Sequence, residues 1–290
     1  MVQGRKERAY ALPQPFIPLD PQRISEALRA TASGPPLDIE VCAEVDSTNA
    51  RLLCDPGDSP RACLAEYQSA GRGRQGRSWI SPFGANLCLS LKWHFEVTPS
   101  AVSALSIAAG VAVARALAEL GLSFVGLKWP NDVLVHGRKL AGILIERRAR
   151  PGGGSTVVVG VGVNVGISRQ QGMAIDRPWT SVAEVLQLAS PVDRNRLAVS
   201  LLSHFTVALR VFSAEGVEPF RGEWSRLDVL CGRTVRALSP QGSVEGVAEG
   251  IAEDGALLLR TGNWVQRIRS SEVTLRPVES GGTRFEGAHG

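Results

Sequence analysis

Hydrophobic and polar positions change period repeatedly along this chain, and each change marks an element. Asn86-Leu87-Cys88-Leu89-Ser90-Leu91 places leucine at every second position, the period of a half-buried strand. Similar runs predict strands at 39–45, 63–68, 86–93, 133–135, 141–146 and 156–164. A helix is expected over 48–54, and another over the apolar stretch 101–114 and beyond it into Arg115 and Glu119. Thr98 is placed to cap that second helix, Pro99 suits its first turn, and Gly121 suits its end. Along it Val102, Leu105, Ala109, Ala112, Ala116 and Leu120 recur as one stripe. Shorter helical patterns occupy 23–32 and 197–212, while the stretch from Arg169 to Pro178 is polar and irregular.

The order of these elements is not a regular βαβ alternation, so the fold class expected is α+β with a mixed sheet. Strands 133–135, 141–146 and 156–164 form a meander, the last pair joined through Pro151-Gly152-Gly153-Gly154-Ser155. Past Leu227 the texture becomes short strands at 234–238, 244–251, 256–259, 265–268 and 273–275, separated by turns containing Gly242, Gly255 and Gly262. Five short strands with tight turns suggest a small SH3-like barrel. The domains expected are an N-terminal arm (1–37), a main domain (38–226), the small barrel (227–278) and a frayed tail (279–290).

Composition narrows the class without choosing a function. With 44% hydrophobic residues in 290, the chain has ample material for a packed core. A net charge of only +4 favours a locally basic site over a surface that coats nucleic acid. Cys42, Cys54, Cys63, Cys88 and Cys231 are odd in number and lack C-x-x-C spacing, which points to neither a zinc site nor a disulfide framework. The first residues carry Arg5, Lys6, Glu7 and Arg8 with no apolar run behind them, so no export signal is read, and 101–114 is shorter than the roughly 20 residues a membrane span needs. A reducing cytoplasm is the compartment expected.

Local charge is concentrated in Gly71-Arg72-Gly73-Arg74-Gln75-Gly76-Arg77, where three glycines alternate with three arginines. Glycine lets backbone N–H groups approach a ligand, and guanidinium offers paired donors that match phosphate or carboxylate oxygens. The loop reads as an anion cradle. It also satisfies G-x-G-x-x-G, with Glu96 about 20 residues further on, but that fingerprint requires a following helix and a strand follows here. A dinucleotide site is therefore not expected.

The loop gains meaning from three companions: Asp46-Ser47-Thr48-Asn49 upstream, Lys128-Trp129-Pro130-Asn131-Asp132 leading to Arg138-Lys139-Leu140-Ala141-Gly142 downstream, and Val159-Gly160-Val161-Gly162-Val163-Asn164. These four segments in this order resemble the biotin protein ligases, over residues 44–277. The resemblance implies a class II synthetase-like catalytic domain followed by an SH3-like domain. It implies activation of biotin by ATP to biotinyl-5′-AMP, then transfer to a lysine of a biotin carboxyl carrier protein. Some members begin with a DNA-binding module of roughly 60 residues; only about forty proline-rich ones precede the catalytic region here, so the ligase-only form, without nucleic acid or membrane partners, is expected.

By resemblance, Ser47, Thr48, Asn49, Gln68, Gly71, Arg72, Gly73, Arg74, Lys139 and Gly142 bind biotin. Arg74, Arg77, Trp129, Asn131, Asp132, Lys139, Asn164 and Trp179 surround ATP, with Arg74 and Lys139 as the catalytic pair. Small residues such as Gly142 and Gly162, beside Ile143, would let a ligand lie against the sheet, and Ser47 also suits a helix N-cap. Trp79 reads as a core anchor rather than a ligand contact. Mg²⁺ is expected with ATP, its protein ligands unassigned, and the sequence leaves a homodimer open. Two alternatives share parts of this pattern: a lipoate or octanoate protein ligase, and a DNA-binding biotin sensor.

Overall fold

The computed structural model describes residues 16–31, 36–96, 99–150, 153–188, 190–239, 242–269 and 274–277. The Thr98 cap, the Val102 side chain, the Pro151-Gly152 turn, Val273 and the tail all fall outside those residues. Among the described residues, twelve strands and six α-helices follow one another as α1 (Pro21–Ala30), β1 (Asp38–Val45), α2 (Thr48–Leu53), β2 (Arg61–Gln68), β3 (Asn86–Phe95), α3 (Pro99–Glu119), β4 (Val125–Lys128), β5 (Asp132–Val135), β6 (Arg138–Ala149), β7 (Ser155–Asn164), α4 (Val182–Val185), α5 (Arg194–Glu215), α6 (Glu218–Leu227), β8 (Thr234–Ser239), β9 (Gly242–Ile251), β10 (Leu257–Thr261), β11 (Trp264–Ile268) and β12 (Thr274–Pro277).

Seven strands form one sheet in the order β1-β2-β3-β7-β6-β5-β4. Among the described strands only β1 and β2 pair in parallel, with Val45 opposite Gln68, so the sheet is mixed. A parallel pair needs a crossover, and α2 supplies it. Because both strands run out at the same end, the start of α2 and the glycine–arginine loop leave the sheet side by side. The loop leads into β3, not a helix, which agrees with the alternation of 86–91. At the β5–β6 hairpin His136 (φ 50°) and Gly137 (φ 74°) both take the left-handed conformation, the requirement of a two-residue type I′ turn.

α3 packs against β4, β5 and β6, and α5 and α6 pack on it in turn. The predicted stripe understates its burial. From Ala104 to Leu117 nearly every described position is inaccessible to solvent, because sheet, helices and the second sheet enclose it on all sides. Each large aliphatic side chain buried this way contributes about 1.5–3 kcal/mol. Closeness sets the residue choice: a side chain at Gly110 would meet the Trp224 ring at 2.8 Å. α5 is long and apolar enough to cross a membrane by length and composition, but its core face packs on α3 and β3, with Phe212 edge-to-face on Phe95 at 6.1 Å.

The remaining five strands form an antiparallel sheet, β11-β10-β9-β8-β12, and its core residues Val235, Ala248, Leu257 and Leu259 belong to the same apolar cluster as the main sheet. Two contacts fix it in place. Trp129 Nε1 donates to Gly255 O at 3.0 Å, and Gly255 (φ 76°) lies so close to Ala104 that a Cβ would sit 2.7 Å from its Cα.

Candidate active site

One half of the site is a neutral hydrogen-bonding pocket where α2 meets β2, β3 and β7. Ser47 caps α2, its Oγ accepting from Ala50 N–H at 3.5 Å, so the capping role coexists with a place in the pocket wall. The Thr48 N–H and hydroxyl both donate to Gln68 Oε1, at 2.9 and 3.1 Å. Ser90 Oγ reaches Thr48 Oγ1 at 2.7 Å and Asn49 Oδ1 at 2.6 Å, and Asn49 Nδ2 donates to Glu146 Oε2 at 2.8 Å. Asn49 is seated in the space where residue 160 would carry a Cβ, which only glycine leaves open. Hydroxyls and carboxamides held in one network suit a neutral polar ligand.

The other half is cationic. The glycine–arginine loop closes on itself through Gly73 N–H to Arg77 O (2.6 Å) and Trp79 N–H to Gly71 O (2.9 Å). Within it Arg74 turns inward and Nη1 donates to Asn131 Oδ1 at 3.3 Å. Burial lowers its pKa, against the pull of Asp132. Arg72 and Arg77 stay exposed. From β6, Lys139 Nζ pairs with Asp132 Oδ1 at 2.5 Å and stands 5.6 Å from the centre of the Trp79 ring. Gly142 makes room for it, since a Cβ there would lie 3.0 Å from Nζ. Lys128 is also drawn into this wall, and burial pushes its pKa below the usual lysine value.

Residues 174–179, unassigned to any element by periodicity, close the far side. Lys139 N–H donates to Pro178 O (2.9 Å) and Thr180 N–H to Lys139 O (3.0 Å), a short parallel bridge that sets Trp179 beside Lys139. Trp179 lies on Gly172, whose missing side chain gives the ring its seat. Asn164 Nδ2 donates to Thr180 O at 3.1 Å, while its Oδ1 is buried with no partner. An unmet acceptor in the wall of a cleft is an invitation to a ligand donor.

Both halves open into one cleft of about 830 Å³, the size of a site for small ligands. Every residue singled out from the sequence lines it except Gly71, which lies behind the loop in an adjoining cavity of about 680 Å³. Trp129 lines it too, although its side chain is only 1% exposed and its indole is tied to Gly255. Two expectations need correction. Trp79 is not a core anchor: its ring lies in the cleft over Gly162 and Gly142, with Nε1 buried and unpartnered. It covers the sheet surface that those glycines were expected to offer a ligand.

Sequence reasoning missed Ser90, Cys88, Arg177 and Leu275, all in the cleft wall, and named Lys128 within its motif without giving it a role. Ser90 had a signal, since it is polar within a leucine-alternating strand. Cys88 is buried beside Ser81 Oγ at 3.0 Å, and desolvation pushes its thiol up to about 11. Asp132 is already paired with Lys139, and among the described residues no group of three acidic, histidine or cysteine side chains could hold a metal ion, so for a divalent cation the wall offers the exposed carboxylate of Asp176. Hard oxygen donors of this kind fit Mg²⁺, which keeps several waters and arrives on phosphate.

The chain matches the Biotin/lipoate A/B protein ligase family over residues 42–164 and the Biotin protein ligase C terminal domain over residues 230–276. It is 39% identical over 274 residues to the bifunctional ligase/repressor BirA of Salmonella typhimurium, covering 94% of this chain and 83% of that one. The biotin–[acetyl-CoA-carboxylase] ligase of Mycobacterium tuberculosis is 35% identical, covering 88% and 95% of the two chains. Among solved structures, the Aquifex aeolicus biotin protein ligase in complex with biotin and ATP superposes with a TM-score of 0.69 at 28% identity, covering 83% of this chain and 99% of that one.

Proposed function

This chain belongs to the biotin protein ligase family, and we propose that it activates biotin with ATP and transfers it to a lysine of a biotin carboxyl carrier domain. The observation that carries this reading is a single cleft with a neutral polar half and a cationic half. The neutral half suits a ureido ring through Ser47, Thr48, Asn49 and Gln68. The cationic half suits two anions that must be brought together, a carboxylate and a triphosphate.

A carboxylate cannot acylate an amine at neutral pH, because oxide is too poor a leaving group. In the first step a biotin carboxylate oxygen attacks the α-phosphorus, the bond to the β-phosphate oxygen breaks, and pyrophosphate leaves. Arg74 on the glycine–arginine loop and Lys139 on β6 neutralise the oxygens that gain charge as this happens. In the second step a carrier lysine, as the free amine, attacks the acyl carbonyl; AMP departs with the bonding pair and the amine's proton is lost to solvent. Arg72, Gly73 and Arg77 frame the phosphate from the loop side, with Gly71 holding the loop's base, and Asn131, Asp132, Trp129, Asn164 and Trp179 enclose the nucleotide. Asn164 Oδ1 is the acceptor left open for an adenine donor. Mg²⁺ would be held by the triphosphate with Asp176, and when bound it neutralises phosphate charge.

We assign residues 38–226 to catalysis and 227–278 to the accessory barrel, with 1–37 as an arm and 279–290 as a tail. The setting that fits the free thiols of Cys42, Cys54, Cys63, Cys88 and Cys231 is the cytoplasm. The test is biotin-dependent exchange of labelled pyrophosphate into ATP by the purified protein alone. Exchange is expected with biotin, and far less with lipoate, which leaves the polar pocket unpaired at about 1–3 kcal/mol for each group. Equal exchange with both acids would overturn the assignment to biotin.

A further inference from the structure

Asp132 sits at the centre of the cationic half, and two cations approach its two oxygens. Lys139 Nζ lies 2.5 Å from Oδ1, and Arg177 Nη1 lies 3.9 Å from Oδ2. The backbone explains why they arrive together. Residues 178–180 are hydrogen-bonded along Lys139, so Arg177 is delivered immediately beside the lysine it accompanies. Its other partner is Asp176 Oδ1, at 3.3 Å from Nε, on a side chain that is 84% exposed.

The Lys139 ammonium carries three donors, but movement of Nζ toward a phosphate oxygen draws it away from Asp132, which it now holds at 2.5 Å. When its ammonium turns to the phosphate, a carboxylate that is only 19% exposed loses its hydrogen-bonded partner just as further negative charge enters the cleft. Leaving one member of a pair so placed without the other is strongly unfavourable. Lys128 on β4 and Arg74 on the glycine–arginine loop face the same carboxylate, and Arg77 lines the same cleft, but all three also face the incoming phosphates. Arg177 differs from them in what it gives up, since an ion pair with an exposed carboxylate contributes little. A guanidinium can then bind Asp132 through two parallel donors.

We propose that Arg177 is a positioning residue for adenylation: it takes over the Asp132 carboxylate as Lys139 swings to the phosphate, so that release of Lys139 is an exchange of partners. The inference rests on the reading of the cleft as a site of biotin adenylation. It separates Arg177 from the residues that touch substrate, because its effect passes through Asp132 and Lys139.

Biotinyl-AMP formed in a single turnover is measured by rapid quench at saturating biotin and MgATP, for wild type, Arg177→Gln and Arg177→Lys. Arg177→Gln is expected to slow the step roughly tenfold while the KM for ATP changes by less than about twofold. Arg177→Lys should recover most of the rate, and added guanidinium should partly rescue Arg177→Gln. A wild-type rate in Arg177→Gln overturns the proposal. So does a defect confined to the KM for ATP or pyrophosphate, because that would make Arg177 a direct phosphate ligand. Wild-type enzyme that makes no adenylate overturns the reading of the cleft itself, and this control distinguishes the two failures.

Discussion

Arg194→Leu should destabilise the fold more than any surface change, and the structure sets the size of the effect. Arg194 and Glu66 form an ion pair with side chains 4% and 7% exposed, Nη1 lying 2.5 Å from Oε2. The same guanidinium donates to Asn86 O at 3.3 Å and to Ile17 O at 2.8 Å, and lies 5.4 Å from the centre of the Phe16 ring. Leucine removes every one of these donors. Glu66 keeps the Leu19 N–H at 2.7 Å, which cannot neutralise a buried carboxylate. Removing one partner of such a pair costs about 3–5 kcal/mol. For a chain of this size that corresponds to a fall in Tm of roughly 6–10 °C. The assay is urea and thermal unfolding followed by circular dichroism, with Glu66→Gln added in the Arg194→Leu background. Neutralising Glu66 should restore at least about 2 kcal/mol, and limited proteolysis should cut near Ile17 in the single variant first. A loss below about 1 kcal/mol, or a double variant no more stable than the single, refutes the argument that an unpaired buried charge is the cause.

Lys139→Ala should slow adenylation by about 10²–10³-fold, the effect of losing one charge-stabilising donor, and a folded variant that exchanges pyrophosphate at the wild-type rate contradicts this. Binding of biotinyl-AMP should be coupled to proton uptake at alkaline pH. Burial holds Lys128 below its usual 10.5 in the empty site, and an anion raises it again, so protons are taken up between the free and bound values. Calorimetry in buffers of differing ionisation enthalpy reads the sign, and proton release, or uptake that persists in Lys128→Met, counts against it. Arg74→Gly removes the cation bonded to Asn131 and leaves the neutral pocket intact, so biotinyl-AMP should escape and label lysines of added albumin. Unchanged albumin labelling with adenylate still forming would show that Arg74 does not retain the intermediate.

Long periodic segments could be read from the chain because their pattern is a direct image of burial. Leu87, Leu89 and Leu91 alternate because one face of β3 packs on the apolar core while Cys88 and Ser90 on the other face line the cleft, and the turn at His136-Gly137 announced a hairpin through its need for positive φ. β4 escaped notice because Val125-Gly126-Leu127-Lys128 is too short to show a period, and its last residue is a lysine drawn into the cleft. β6 runs on past its apolar part through Arg147 and Arg148, since pairing with Val157 and Thr156 on β7 uses backbone groups that carry no hydrophobic signature. α6 carries Phe220, Trp224 and Leu227 at i, i+4 and i+7, a helical spacing, but the seven residues between and around them are polar, charged, glycine or proline, and a stripe of three is short.

The site divides the same way, between what local sequence encodes and what only distant backbone contacts create. Glycine and arginine in alternation announce an anion loop, because that composition has few other uses. Asp132 and Lys139 stand seven apart across a two-residue turn, a spacing that places both on one face of the hairpin, since Lys139 is opposite Leu134 and Asp132 is two residues before it. Arg177 carried no such signal. It sits in a polar stretch without period, and its chemistry comes from Pro178 and Thr180 bonding to Lys139, nearly forty residues away in sequence. Trp79 was hidden for a related reason: an aromatic beside a loop is most often a core anchor, and only Gly142 and Gly162, on two different strands, create the bare surface that receives its ring. Residues whose function depends on the emptiness of a neighbour are therefore read last from a sequence, because the information lies in the glycine and not in the residue that uses it.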